Sequence, residues 1–289
     1  VKQQQEINNQ KQSAIKDTDG KIAQIQDRLD SVNKINVSNG YINNVENNVS
    51  LTDNDFQELN KNSYRHSRQD EQRSFADLNN LDQNDWAELG TFAVGLLNDI
   101  RQTAGQAPLE VTDGSVKFGQ DIANIYLQHQ YYDYANRDAS KVDAADKNGL
   151  YNFHEYYKVN GVLNRQVVSQ SQSSITLGNY TRTVTSYEFT PVTMDSLKED
   201  IYNMILSGLR DAQKAREVLM NGKYIAITGM DQQLDLLMID DGDLDSYSGV
   251  KFGENPYAIP SIDTDKLQGQ LTELKSLRDE QSSELSTAT

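Results

Sequence analysis

The two ends of the chain carry the same kind of repeat, and this limits the fold more than any other feature. Val1, Asn8, Ile15, Ile22, Leu29 and Asn36 recur every seven residues, with Thr18, Ile25 and Val32 offset by three. This is the spacing of a helix that buries one narrow seam against another helix. Toward the far end Leu267, Leu271, Leu274 and Leu285 follow a similar spacing, with Arg278 and Gln281 at the intervening positions. Seams this polar do not hold a lone helix in water, so each needs a packing partner. Two half-seams at opposite ends of one chain are expected to pair antiparallel, leaving everything between them as a domain at the tip of, or inserted into, a stalk. Asn8 and Asn36 at core positions are equally compatible with a parallel homodimer through the first seam. Both arrangements stand at this point.

The breaks between elements give a first division of the chain. Asn39-Gly40 is expected to end the first helix, and Pro256 and Pro260, two of only 4 prolines, fall just before the second seam. The expected order is a first coiled-coil arm over 1–38, a linker with a short helix over 39–84, a compact domain over 85–250, a Pro-containing junction over 251–261 and a second arm over 262–289. Within the linker, Thr52 and Asp55 read as a capping box for a helix containing Phe56 and Leu59, followed by a charged stretch from Asn60 to Gln83.

Composition narrows the chemistry. With 43 acidic against 27 basic residues the net charge is -16, which disfavours nucleic acid as the main ligand. The absence of cysteine removes disulfides, thiolate metal sites and thiol nucleophiles, leaving oxygen and imidazole chemistry. Hydrophobic residues are 36% of the 289, so the core is expected in only part of the chain. No apolar run is long enough for a transmembrane helix. The chain opens on Val rather than Met, and targeting and anchor segments are expected outside it.

The compact part reads as helix, helix, strands, helix, strand, strand. Trp86, Leu89, Ala93, Leu96, Leu97 and Ile100 mark a first amphipathic helix ending at Gly105, and Phe118, Ile122, Ile125 and Tyr126 mark a second after Gly114-Ser115. Ile175 to Val192 suggests a hairpin around Gly178-Asn179. A third helix is expected from a Ser196–Glu199 capping box through Leu219, with Asn221-Gly222 as its stop. Tyr224–Thr228 and Leu234–Ile239 read as strands joined by Gly229 to Gln233. The fold class is therefore α+β, helices against a small antiparallel sheet.

Leu97-Asn98-x-x-Arg101, then Gly105 and Pro108-Leu109, resembles the first helix of CAP domains, and Glu199 to Gly229 is similar to the last helix and central strand of that fold. A CAP-like helix/antiparallel-sheet sandwich on an antiparallel or dimeric coiled-coil stalk is similar to surface-exclusion proteins of Gram-positive conjugative plasmids. That resemblance implies a secreted, cell-wall-attached protein that limits plasmid uptake, with a donor-cell adhesin or mating-contact protein as its partner, acting by proteolysis or by binding. It also implies a groove with two His and two Glu, able to hold a divalent metal or act as acid and base. His129 and Glu155 are the matches for the first His and first Glu, His154 lies beside Glu155 without a family counterpart, and Glu199 stands for the second Glu. Each has a plainer role: His129 falls on an apolar helix face, and Glu199 can be a capping residue. The second His is missing, since the matching region reads Arg210-Asp211-Ala212-Gln213-Lys214-Ala215-Arg216. No cofactor is called for. A non-enzymatic adhesin or ligand-binding module is the alternative, and a lipid carrier has no long apolar groove segment behind it.

Two further features carry candidate binding chemistry. Asp240, Asp241, Gly242, Asp243 and Asp245 space carboxylates as calcium loops do, but Lys251 stands where an EF-hand supplies its final glutamate. Tyr126, Tyr131, Tyr132, Tyr134, Tyr151, Phe153, Tyr156 and Tyr157 read either as core packing or as a groove for an extended peptide or glycan.

Overall fold

The computed structural model describes residues 2–128, 134–150, 158–163, 165–178, 180–230, 232–244 and 251–288. In chain order its elements are α1 (Lys2–Asp30), α2 (Asn39–Glu46), α3 (Asp53–Leu59), α4 (Arg68–Glu71), β1 (Ser74–Phe75), α5 (Gln83–Thr103), α6 (Asp113–Gln128), α7 (Tyr134–Lys147), β2 (Lys158–Val162), β3 (Val167–Leu177), β4 (Tyr180–Phe189), β5 (Val192–Thr193), α8 (Met194–Gly208), α9 (Ala212–Met220), β6 (Tyr224–Met230), β7 (Gln233–Ile239) and α10 (Thr264–Ala288). The chain divides into two compact units, one of residues 1–33, 65–70 and 261–289 and one of 34–64 and 71–260.

In the first unit α1 and α10 pair antiparallel. Lys11 Nζ meets Glu284, Thr18 Oγ1 donates to Gln281 Oε1 (3.0 Å) and Asp19 pairs with Arg278 (3.2 Å), so partners descend α10 as they ascend α1. The less exposed positions of α1 include Asn8, Lys11, Ile15, Thr18, Ile22, Ile25 and Leu29, and Leu267 and Leu271 are buried on α10. Helix α1 stops at Asp30, so Val32 and Asn36 lie beyond it. Asn39-Gly40 does not break a helix but begins one, because the Ser38 hydroxyl accepts the Tyr41 N–H and caps α2.

The second unit is a three-layer sandwich around the antiparallel sheet β2-β7-β6. Every residue of β6 and β7 is buried, which requires cover on both faces. Ile225, Ile227, Leu234, Leu236 and Met238 join a core with Trp86, Leu97, Leu197, Ile201 and Ile205 of α5 and α8. Tyr224, Ala226, Leu237 and Ile239 face Phe118, Ile122 and Ala144 of α6 and α7. Strand periodicity sends alternate residues to the two layers. The strands run farther than expected, taking in Gly229, Met230 and Gln233.

Within 39–84, expected as a linker, the segments 39–64 and 71–84 contribute to this core: Tyr41, Ile42, Val45, Leu59 and Leu78 are all buried in it. Tyr41 donates to Leu209 O (2.7 Å) and Tyr202 donates to Lys34 O (3.1 Å), so polar tips pin the segment while the rings pack. The Thr52–Asp55 capping box is present. The junction 251–261 is also packed, with Phe252 buried, Thr112 donating to Phe252 O (2.6 Å) and Tyr257 N donating to Val111 O.

The third helix is two helices. Thr193, not Ser196, is the cap of α8, with Ser196 reciprocating, and Asp211 starts α9 by accepting from Gln213 N and Lys214 N. Helix α7 was hidden by its polarity. The hairpin β3–β4 begins at Val167, eight positions before the alternation that predicts it, because Ser and Gln fill the ladder opposite β4 without an apolar face.

Candidate functional site

Of the four candidate site residues, Glu199 lies on α8, half-buried, and forms no capping box, since the cap is built three positions earlier by Thr193 and Ser196. His129, His154 and Glu155 lie outside the described residues, as do Tyr131, Tyr132, Tyr151, Phe153, Tyr156 and Tyr157 of the aromatic cluster. The described residues nearest them in sequence, Gln128 and Tyr134, Leu150 and Lys158, belong to or adjoin α6, α7 and β2. Tyr126 is buried with Phe118 and Ile122, a packing role.

The polar feature of that layer is a pair the sequence did not advertise. Lys141 of α7 and Asp235 of β7 form an ion pair, Nζ to Oδ2 2.8 Å, with side chains 3% and 1% exposed. Gln233 Nε2 donates to Asp235 Oδ1 (2.9 Å). Oδ2 has the Lys141 ammonium as its charge partner, and the buried Thr228 Oγ1 has no hydrogen-bond partner among the described residues. Thr228 is the cross-strand neighbour of Asp235, so this hydroxyl and the buried carboxylate share one patch. The available signal was Asp235 itself, a charge inside Leu234-Asp235-Leu236-Leu237, because carboxylates are almost never fully buried unless paired.

The residues that carry the CAP resemblance do structural work. Asn98 donates to Leu109 O (3.0 Å) and accepts Leu109 N–H (2.7 Å), closing the loop after α5. Arg101, buried, donates to Ala107 O and, through Nη1, to Val218 O and Asn221 O, satisfying carbonyls at the end of α9. Burial lowers its pKa, yet a guanidinium stays charged.

Where the second His would stand, Arg210 donates to Asn60 Oδ1 (2.7 Å) and Arg216 to Glu46 O (3.0 Å), fastening α2 and α3. Glu88 gathers Arg73 (2.7 and 2.8 Å) and Lys198 (2.7 Å); burial raises its pKa, but the Lys198 and Arg73 hydrogen bonds and charges outweigh burial and hold it below the usual value. Asp121 behaves alike, its burial outweighed by Lys117, Lys147 and Asn148. The acidic loop is a capped turn: Asp243 accepts Asp240 N–H (2.8 Å) and Asp241 pairs with Lys223 (2.9 Å). Asp245 lies outside the described residues. A shallow cleft of about 250 Å³ lined by Lys34, Asn36, Asp99 and Gln102 holds none of the nominated residues.

No family model and no curated protein matches the chain. Among solved structures it matches the CAP domain of Enterococcal PrgA, with a TM-score of 0.60 and 20% identity, over 84% of this chain and 99% of that one. At that identity the likeness speaks for architecture, and it agrees with the sandwich described above: the chain has a CAP-like fold.

Proposed function

We propose that this chain is a surface-exclusion module, a CAP-like domain that a Gram-positive recipient cell displays at its wall to limit conjugative plasmid uptake, and that it works by binding a donor-side adhesin or mating-contact protein. The likeness to the CAP domain of Enterococcal PrgA carries this reading. Among the described residues no helix is long and apolar enough to cross a membrane. Binding is favoured over proteolysis by the region where a second imidazole would be needed: Arg210 and Arg216 there are tied into the fold by Asn60 and Glu46 and have no lone pair to accept a proton.

The test is plasmid transfer into recipients displaying the protein, compared with recipients displaying His129→Ala, His154→Ala and Glu155→Ala together at equal surface level. Retained exclusion is the expected result. Exclusion lost with the fold intact would overturn the binding mechanism in favour of a catalytic site. Transfer unaffected by the wild-type protein would overturn the function itself.

A further inference from the structure

The hairpin β3–β4 is the one long ladder in the second unit that pairs with no third strand among the described residues. Its residues 167–174 are all exposed. Successive strand residues point to opposite faces, so along this stretch β3 buries neither face. A two-stranded ribbon of this kind is marginal in water, and three or more strands are needed for independent stability. Its register shifts between Val167 and Ser169, at one end, and from Ser169 to Leu177 the ladder is regular, so the middle of the edge has no bulge to turn a partner away. Strand β3, Val-Val-Ser-Gln-Ser-Gln-Ser-Ser-Ile-Thr-Leu, holds no charge and no proline, and such an edge is a template for another strand.

Charge indicates which strand fits. The whole chain carries -16, so two copies repel wherever acidic surface faces acidic surface. The ribbon is the exception: β3 is uncharged, and β4 carries only Arg182 and Glu188, set opposite Ile175 and Ser169 on the far side of the ladder. We propose that β3 is a homodimerisation edge, pairing antiparallel with β3 of a second copy about a two-fold axis at Gln172. Such an interface is self-complementary. Gln170 then faces Ser174 of the other copy, Gln172 faces its own counterpart, and the ribbons merge into a four-stranded antiparallel sheet in the order β4-β3-β3-β4. Val167 and Val168, 53% and 65% exposed, bring apolar area to both ends of the interface. This surface is separate from the helical seam of α1.

Sedimentation velocity over a concentration series tests this, with two variants: Gln170→Lys, Gln172→Lys, Ser174→Lys together, and the same positions changed to Glu. All three positions are exposed, so neither variant removes core. The wild type is expected as a dimer. Each variant sets three like-charge pairs across the axis, at up to about 1 kcal/mol each, and should dimerise about a hundredfold more weakly. An equimolar mixture of the two should recover dimer as a heterodimer, which a variant that had merely unfolded would not do. A wild type that remains monomeric throughout, or a dimer that both variants leave intact, overturns the proposal.

Discussion

The hairpins β6–β7 and β3–β4 use the same antiparallel ladder in opposite surroundings. In β6–β7 every residue is buried, and Ile, Leu and Met on both faces are covered by helices. In β3–β4 the middle of the ladder pairs Ser171 with Ser186, Gln172 with Thr185 and Ser174 with Thr183, side-chain contacts run from Ser169 to Glu188 (2.6 Å) and from Thr176 to Thr181 (3.0 Å), and the described side chains of residues 167–174 face solvent. Backbone hydrogen bonding is common to both, so it cannot be what distinguishes them. Side chains decide whether a ladder becomes the middle of a domain or its edge, since burial of apolar area dominates the favourable balance. The pair Lys141–Asp235 is the departure from this rule on the buried side, a charge on a strand that otherwise obeys it.

That departure gives the largest expected effect. Lys141→Met alone leaves the buried Asp235 carboxylate without its cation and should cost about 3–5 kcal/mol in chemical denaturation, whereas the double variant with Asp235→Leu should return close to wild type or exceed it. An additive double variant would mean that the two charges do not act as a pair, and β7 would no longer differ from β3 by its demand for neutrality.

The same contrast explains what could be read from the sequence. Helices α5 and α6 and strands β6 and β7 announce themselves because Trp86, Leu89, Leu97, Phe118, Ile122, Ile225 and Leu236 recur at the period of the element that buries them. Helix α7 does not, since Ala139-Ser140-Lys141-Val142-Asp143 covers its layer with small and charged residues. The first half of β3 escapes because a ribbon with no buried face has no alternation to detect. Residues 39–84 looked like a linker because their core contacts, Tyr41, Val45 and Leu59, are spread thinly among Asn and Asp. At the site, Asn98 and Arg101 were legible as a pattern, but only the structure assigns them to loop and helix-end carbonyls. Asp235 was legible as an oddity without its partner, since Lys141 is distant in sequence.

Glycine sharpens the comparison next. A side chain at Gly119 would meet the Ile227 carbonyl of β6, and the helix lies too close for a methyl group; Gly119→Ala should cost about 1–3 kcal/mol of global stability. Gly178, at the tip of the ribbon, has open space around it but a φ of 61°. Gly178→Ala should cost about 1 kcal/mol, through backbone strain alone, and its effect should stay in the ribbon. Amide exchange separates the cases: Gly119→Ala should speed exchange throughout β6 and β7, and Gly178→Ala only in β3 and β4. Equal spread in both variants would mean that the ribbon and the sandwich unfold as one.

The smallest effect is set by pH. Glu88 joins α5 to Arg73 and to Lys198 of α8, so it braces the helical layer over β6–β7, and the ribbon has no comparable network among its described residues. Its pKa is held below the usual carboxylate value in the folded state. A depressed folded pKa stabilises above the unfolded value, about 4.3 for glutamate, and that contribution is lost as pH falls through the folded value. Glu88→Gln should therefore lower stability at pH 7 by about 1 kcal/mol, the scale of a partly exposed ion pair, and the gap to wild type should close as the pH drops below 4. Asp121 and Asp55 are depressed too, so both proteins weaken in acid and only the difference belongs to Glu88. A gap that stays constant from pH 7 to pH 3 would show that Glu88 braces α5 by packing, and that the covered sheet owes as little to ionised groups as the exposed ribbon does.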